Sequence, residues 1–211
     1  MDANKRKAVH CRIKNVLTNL EKNNFSSAYV DTKEEALTLI RSMVPEGSYT
    51  ATGGSMTLVE TGIMKYLKEK TDWHEDYRDA YRAEYYLASA NAVTERGEIY
   101  EVDGRSNRIS AISFGPEKVI LVVGINKLVP TLRDAVERVK NSASPANAIR
   151  LCKDTPCAKL GRCVSPLFSE ENILTDGCSS EECICCNALI MRRQRVKERV
   201  YVIIVGEELG Y

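Results

Sequence analysis

A nearly continuous apolar run, "KVILVVG" from Lys118 to Gly124, limits the possible folds of this chain most strongly. Successive residues of a strand point to opposite faces of a sheet, so a strand that is apolar at almost every position is buried on both faces. A second run of the same kind, "VYVIIVG", covers residues 200–206. Both are far shorter than the roughly 18 apolar residues that span a bilayer. The sequence therefore predicts a sheet covered on both sides and no membrane partner.

The segments around these runs alternate between strand and helix patterns. Helices are predicted at residues 8–23, at 32–43 behind the capping-box pair Thr32 and Glu35, and in "MTLVETGIMKYLKEK", "HEDYRDAYRAEYYLASA" and "VPTLRDAVERVKNSA". Strands are predicted at "SSAYV" and "SYTAT", and a hairpin is predicted around Arg96–Gly97. This alternation predicts an α/β fold with a largely parallel sheet.

Length and charge exclude several classes of protein. The chain has 211 residues, which suits one large domain or a domain with a small appendage. Its 30 basic and 29 acidic residues leave a formal net charge of +1, so we expect no nucleic-acid partner. The charged N-terminal stretch "MDANKRKAVHCRIKNVL" has no apolar core of a secretory signal, which indicates a cytoplasmic protein.

A glycine turn separates a predicted strand from a predicted helix. Gly53 and Gly54 leave backbone amides accessible, and Ser55 and Thr57 add hydroxyl groups beside them. Such a turn suits an anionic ligand. The alternative is an ordinary strand-to-helix turn in which Ser55 caps the helix. The turn matches neither the Walker loop nor the dinucleotide-binding motif.

Polar residues also lie where other strands are expected to end. In open α/β sheets, ligands bind at the carboxyl ends of the strands. Turn formation alone explains the same residue types equally well. The candidates are Asn91, Thr94, Asp103, Asn107, Arg108, Asn126 and Lys127.

Cysteine usage is uneven. Of the eight cysteines, Cys11 stands alone and the others fall between Cys152 and Cys186. In a reducing compartment, clustered cysteines indicate metal ligands or redox groups. They can equally be reduced, partly buried residues of a loop-rich appendage.

Several motifs in the same order resemble the lactate-utilisation (LUD) domain family, which includes LutC-like proteins. They are "GGSMTL", "ANAVTERGEIYEVDG", "NRISAISFGPEKVILVVGINKLV", "SPANAIRL" and "TPCAKLGRC". The resemblance implies a Rossmann-like fold of the NagB/RpiA/CoA-transferase type with a small cysteine-rich C-terminal segment. We expect a core with its N-terminal helix at 1–150, the cysteine-rich insertion or appendage at 151–190, and a return strand at 191–211.

The resemblance also implies site residues. It implies that the glycine turn is a binding loop and carries the strand-end residues over as ligand-binding positions, although it assigns no nucleophile or acid–base pair. In the cysteine segment, a family subset has four cysteines that correspond to Cys157, Cys163, Cys178 and Cys185, with Cys183 or Cys186 as possible replacements. Four converging thiolates bind zinc or an iron–sulfur cluster.

Family members are linked to oxidation of L-lactate to pyruvate beside iron–sulfur partner proteins. Because no flavin or nicotinamide motif accompanies the resemblance, an accessory subunit that binds an anionic small molecule is the preferred interpretation. One alternative is a stand-alone sugar-phosphate or acyl-CoA enzyme of the same fold. Another is a binding module that senses metal or redox state.

Overall fold

The computed structural model describes residues 2–165 and 176–211. Its strands are β1 (Ser26–Val30), β2 (Tyr49–Thr52), β3 (Asp72–His74), β4 (Tyr85–Ala88), β5 (Ala92–Thr94), β6 (Ile99–Asp103), β7 (Lys118–Gly124), β8 (Leu128–Val129), β9 (Asn187–Met191) and β10 (Val200–Val205). Its α-helices are α1 (Ala3–Lys22), α2 (Lys33–Met43), α3 (Met56–Glu60), α4 (Ile63–Lys70), α5 (Asn107–Ser113), α6 (Leu132–Arg138), α7 (Ser144–Arg150) and α8 (Pro156–Leu160).

Three shorter turns complete the helical structure. Residues Asp79–Arg82 and Ile125–Lys127 form 3₁₀ turns, and a π-helical turn at Val139–Ala143 joins α6 to α7. Within the described ranges, no helix is both long and apolar enough to cross a membrane.

A six-stranded sheet forms the centre of the fold, in the order β1-β10-β7-β4-β2-β3. All of its neighbouring strands run parallel. The two apolar runs, β7 and β10, lie side by side inside this sheet, as expected of strands buried on both faces. The predicted α/β fold with a parallel sheet is confirmed. The finer assignment to the NagB/RpiA/CoA-transferase type stays a prediction.

Alternate residues of β7 pack into two separate cores. Val119, Leu121 and Val123 contact the core that includes α1 and α5. Ile120 and Val122 face the opposite core, which α2, α3 and α4 cover. Each layer of helices therefore buries one face of the same strand, and this arrangement leaves the strand ends to carry polar groups.

A smaller sheet has the order β8-β5-β6-β9. Strands β5 and β6 pair antiparallel, which confirms the predicted hairpin. Strand β9 adds to β6 in antiparallel register, with Glu101 opposite Leu189. The sequence analysis did not predict β9, which begins inside the segment assigned to the cysteine-rich appendage.

Two helix predictions were wrong. The tyrosine-rich segment at 74–90, expected to be helical, contains the single turn Asp79–Arg82 followed by the buried strand β4. The helix expected over residues 56–70 is divided into α3 and α4, because Gly62 adopts a left-handed conformation with φ of 72°. Both errors fall close to the carboxyl ends of β2 and β4, where the candidate site lies.

Candidate functional site

Three neighbouring strands end at the same edge of the large sheet. Strand β2 leads into Gly53 and Gly54, β4 leads into Ser89, and β7 leads through Gly124 to Lys127. Because these strands are parallel neighbours, their carboxyl ends converge. A cleft of about 60 Å³ opens among the loops that follow them.

Lys127 forms the floor of this cleft. The residue is 3% exposed, and its Nζ donates hydrogen bonds of 2.9 Å to Thr57 Oγ1 and 2.9 Å to Ser89 Oγ. Burial removes the water that stabilises an ammonium group and lowers the pKa of Lys127 to about 7; Arg138 acts in the same direction, while Glu101 opposes it. An amine whose pKa lies near neutrality serves as a cation in one protonation state and as a base or nucleophile in the other.

Glu101 and Arg108 form a buried ion pair beside the floor. Glu101 is 0% exposed, and Arg108 Nη2 lies 3.1 Å from its Oε2. The approach of Arg108 lacks hydrogen-bond geometry, and the backbone amide of Asn91 also acts on this carboxylate. Burial raises the pKa of Glu101 to about 7, although Arg108 and Lys127 lower it. Arg108 Nη2 is also fixed by Asn91 Oδ1 at 2.9 Å and by the carbonyl of Val102 at 2.6 Å.

The two glycines of the turn have different roles. A Cβ atom at Gly53 would lie 2.8 Å from Tyr86 Oη and 2.9 Å from Arg108 Cδ, so only glycine fits without movement. A Cβ atom at Gly54 would meet nothing within 4 Å, and Gly54 lines the cleft. Ser55 also lines the cleft, while its Oγ accepts the Leu58 amide at 3.3 Å as a helix cap. Ser55 therefore both caps α3 and lines the cleft.

Helix α7 and the C-terminal segment border the cleft. Asn147 and Arg150 of α7 line it, and the Arg150 guanidinium donates two hydrogen bonds to Asn147 Oδ1, at 3.0 Å and 2.7 Å. Tyr211 lines it as well. The preceding segment is held by Asn126, whose Oδ1 accepts the Leu209 amide at 3.1 Å. Three basic side chains thus reach the cleft: Lys127 from its floor, Arg108 from its wall and Arg150 from α7.

The structure brings together only part of the predicted ligand-binding set. The predicted residues that line the cleft are Gly54, Ser55, Asn91, Arg108 and Lys127, and Thr57 contacts Lys127 behind it. Gly53 does not line the cleft; its lack of a side chain leaves space for Tyr86 and Arg108. Asn126 holds the C-terminal segment through the Leu209 amide.

Three other predicted residues shape turns. Thr94 Oγ1 donates to the Glu98 carboxylate at 2.9 Å within the hairpin. Asp103 Oδ2 accepts the Arg108 amide at 2.8 Å at the start of α5, and Asn107 is the first residue of that helix. Their contacts are those of turn formation, the alternative that the sequence left open.

Sequence reasoning missed Ser89, Glu101, Asn147 and Arg150. Ser89 was hidden because its segment was interpreted as a helix. Glu101 carries a detectable signal, since it is a carboxylate within the otherwise apolar strand "IYEV". Asn147 and Arg150 reach the cleft only through the packing of α7, which no local pattern predicts.

A second and larger cavity, of about 760 Å³, lies beside the first. Cysteines contribute much of its lining, namely Cys157, Cys163, Cys178, Cys183, Cys185 and Cys186. Three residues, Val102, Ser144 and Ile184, line both cavities. The larger cavity is lined mainly by thiols, hydroxyls and apolar groups, with Lys140 and Asp176, whereas three basic side chains converge on the smaller one, so the smaller one is the candidate anion site.

In the larger cavity the sulfurs of Cys183 and Cys185 are in contact, 3.6 Å apart. Cys163 and Cys178 also interact electrostatically with this pair. Cys157 is buried and its Sγ lies 3.2 Å from Thr155 Oγ1. Cys183, named from the sequence only as a possible replacement, is thus at the centre of the thiol contacts.

Burial raises the pKa of Cys185 to about 12, and the neighbouring Cys183 adds to this effect. Burial likewise raises the pKa of Cys178. These thiols hold their protons at neutral pH, and a metal ion that bound them would have to displace those protons.

The fit of a metal to these residues is partial. Among residues 2–165 and 176–211, no group of three or more His, Cys, Asp or Glu is arranged to hold a metal ion. Two sulfurs that share a tetrahedral zinc through bonds of about 2.3 Å lie roughly 3.7 Å apart, close to the Cys183–Cys185 separation of 3.6 Å. The predicted ligand set of Cys157, Cys163, Cys178 and Cys185 stays a prediction.

Comparison with known proteins establishes the family. The model of the LUD domain matches residues 13–205, so the chain belongs to the LUD domain family. This family is associated with lactate utilisation. Among solved structures, the chain is similar to a DUF162 family protein from Deinococcus radiodurans, at 15% identity over 95% of this chain and 98% of that chain, with a TM-score of 0.48. A search of curated proteins found no match.

Proposed function

We propose that the chain binds a small carboxylate of the 2-hydroxy-acid or 2-oxo-acid class in the cleft beside Lys127. The observation that carries this proposal is the convergence of Lys127, Arg108 and Arg150 on one cleft at the carboxyl edge of the sheet. Charges interact more strongly where water is excluded, so an anion above the buried floor is attracted more than it would be at an exposed surface.

The other groups of the cleft suit the second oxygen of such an acid. Arginine recognises carboxylates through paired hydrogen bonds, and the hydroxyls of Ser89 and Ser144 and the amide of Asn147 also line the cleft. A volume of about 60 Å³ corresponds to roughly four to six water-sized positions. This size supports a small acid over a nucleotide or an acyl-CoA.

We further propose an accessory role, in which the protein holds or delivers the acid to an iron–sulfur oxidoreductase partner in the cytoplasm. The association of the LUD family with lactate utilisation supports this role. Oxidation of a hydroxy acid needs an electron acceptor that side chains do not supply, and an iron–sulfur partner provides one.

Titration calorimetry tests the binding proposal with L-lactate, pyruvate, inorganic phosphate, a sugar phosphate and acetyl-CoA. We expect the wild type to bind L-lactate or pyruvate. Gly54→Leu should weaken this binding at least about tenfold, equivalent to about 1.4 kcal/mol, because the new side chain extends into open space at the cleft. The matched control is Gly177→Leu, which also meets open space but lines the cysteine cavity.

Preferential binding of the sugar phosphate or acetyl-CoA would overturn the proposal in favour of a stand-alone enzyme. The accessory role needs a separate measurement, which is anaerobic affinity purification from the native host. An iron–sulfur protein should co-purify with the wild-type chain. Acid binding without any such partner would contradict the accessory role.

The Cys183–Cys185 contact favours a second candidate function, in which the cysteine cavity senses metal or redox state. Zinc and iron–sulfur clusters both bind thiolates, and the paired sulfurs offer two ligands at a suitable separation. Cys163 and Cys178 are the neighbouring thiols that would complete the set.

Metal analysis of anaerobically purified protein tests this second candidate. We expect stoichiometric zinc or iron in the wild type and in Cys152→Ser, whose cysteine is exposed and outside the cavity lining. Cys183→Ser should lower the metal content. Comparison with Cys157→Ser then decides between the two ligand sets, and a folded wild type without metal would dismiss both.

A further inference from the structure

The contacts of the Lys127 amine distinguish it from a lysine that serves only as a fixed charge. Its Nζ is held by two hydroxyls, Thr57 Oγ1 and Ser89 Oγ, each at 2.9 Å. Within residues 2–165 and 176–211, no carboxylate oxygen approaches this nitrogen within the 4.0 Å of an ion pair. A hydroxyl can accept a proton from an ammonium or donate one to a neutral amine. The contacts are therefore compatible with both protonation states.

The position of Lys127 at the cleft is the second observation. Lys127 and Ser89 both line the cleft, together with the two arginines that suit a carboxylate. A small acid whose carboxylate binds Arg108 or Arg150 would bring its second carbon toward the floor of the same small cleft. Holding a carbonyl beside an amine converts an encounter in solution into a reaction within one complex.

We propose that Lys127 forms a reversible covalent imine with the ketone carbon of a small 2-oxo acid held in this cleft. This inference rests on the anion-binding function proposed above. It adds a covalent step and identifies the 2-oxo acid, rather than the 2-hydroxy acid, as the reacting ligand.

The step requires no oxidant or reductant. The lone pair of the neutral amine forms a nitrogen–carbon bond, and the carbonyl π electrons move to oxygen, which takes a proton to give a carbinolamine. In the carbinolamine the nitrogen has given up one of its two protons; the hydroxyl then gains a proton and departs as water, the nitrogen lone pair forms the carbon–nitrogen double bond, and the nitrogen loses its one remaining proton. Ser89 Oγ is placed to exchange a proton with the nitrogen, and Glu101, which interacts electrostatically with Lys127, offers a carboxyl group that also titrates near neutrality.

Reductive trapping tests the inference on the full-length protein. The protein is incubated with pyruvate and sodium cyanoborohydride, which reduces an imine to a stable secondary amine, and the modified peptide is identified by mass spectrometry. We expect the adduct at Lys127. L-lactate has a hydroxyl in place of the ketone and should give no adduct under the same conditions.

Two variants serve as controls. Lys127→Arg keeps a positive charge but forms no imine, so the adduct should disappear. Lys140→Arg replaces another buried lysine, located outside the cleft lining, and should leave trapping at Lys127 unchanged. Circular dichroism of both variants verifies that they are folded.

Calorimetry without reductant separates this inference from the function on which it rests. Pyruvate binding to the wild type with no adduct at Lys127 would overturn the imine and leave the anion site intact. Absence of pyruvate binding as well as of adduct would overturn both.

The pH profile of trapping gives a second readout. The charged groups that act on Lys127 are Arg138, Glu101, Arg108 and Glu60, and burial outweighs them in lowering its pKa to about 7. The neutral amine should therefore increase as pH rises through 7, and the rate of trapping with it. An ordinary lysine with a pKa of about 10.4 would show this increase only above pH 9, and such a profile would contradict the inference.

Discussion

The Lys127 cleft and the cysteine cavity are neighbours, yet they are built differently. The cleft lies at the ends of β2, β4 and β7, so the parallel sheet fixes its basic and hydroxyl groups. The cysteine cavity is formed mainly by the segment that follows α7, where contacts between loops position the thiols. The comparison shows that the sheet determines where the charged site lies, while the thiol arrangement depends on the path of one irregular segment.

The largest expected effect concerns the ion pair between Arg108 and Glu101 beside the cleft. Arg108→Ala leaves Glu101 buried without its cation, and removal of one partner of a buried pair costs about 3–5 kcal/mol. Urea unfolding at pH 8 measures this loss. The loss of stability should be smaller below pH 7. The pKa of Glu101 is raised to about 7, so below that pH Glu101 is protonated and has no charge for Arg108 to neutralise. Arg150→Ala, an exposed change, should stay within about 0.5 kcal/mol. Equal losses for both variants would show that the ion pair does not support the cleft.

The next effect compares the two glycines of the turn, Gly53 and Gly54. Gly53→Ala places a Cβ atom 2.8 Å from Tyr86 Oη and should destabilise the fold by about 1–3 kcal/mol through overpacking. Gly54→Ala meets no atom within 4 Å and should change the free energy of unfolding by less than about 0.5 kcal/mol. Thermal or urea unfolding of the pair measures both. The reverse order of stabilities would contradict the geometry of the turn.

A smaller effect concerns the cysteine cavity. Alkylation with iodoacetamide at pH 7.5, followed by mass spectrometry, should modify exposed Cys186 at least about ten times faster than Cys185. Burial raises the pKa of Cys185 to about 12, so little of it is thiolate at this pH. Comparable rates at these adjacent residues would show that the cavity does not shield its thiols.

A further prediction compares the pH dependence of the stability of the wild type with that of a variant lacking the cleft amine. Because the pKa of Lys127 is lowered to about 7 from 10.5, the unfolded chain binds more protons than the folded protein between these values. Wild-type stability should therefore rise with pH across this window relative to Lys127→Met. Urea unfolding between pH 8 and 9.5 measures the difference. A constant difference would indicate an unperturbed amine.

Much of the fold could be predicted because local patterns agree with the final packing. The run at β7 is apolar throughout since two cores lie on its faces. The Thr32 and Ser55 side chains accept helix-terminal amides, as their positions before apolar periodic segments suggest. Lys127 could be proposed from sequence because it follows the carboxyl end of a buried strand, where parallel sheets place ligand sites.

Other features depend on contacts that no local pattern contains. Strand β4 is only four residues long, and the tyrosines around it hid it within a helical interpretation. Strand β9 alternates in burial because it adds to β6 across a long sequence separation. The Glu101–Arg108 pair joins a strand to a neighbouring helix, and Asn147 and Arg150 reach the cleft only after α7 has packed. These residues carry a large share of the site.

Ile184 stands between two cysteines in the chain and between two cavities in space. A molecule that bound in the cysteine cavity and moved the Ile184 side chain would change the volume of the Lys127 cleft. By thermodynamic linkage, if a ligand in the cysteine cavity changed the affinity of the Lys127 cleft for its ligand by some factor, the ligand in the cleft would change the affinity of the cysteine cavity by the same factor. If the two cavities hold the ligands proposed for them, Ile184, with Val102 and Ser144, would link the occupancy of one cavity to that of the other.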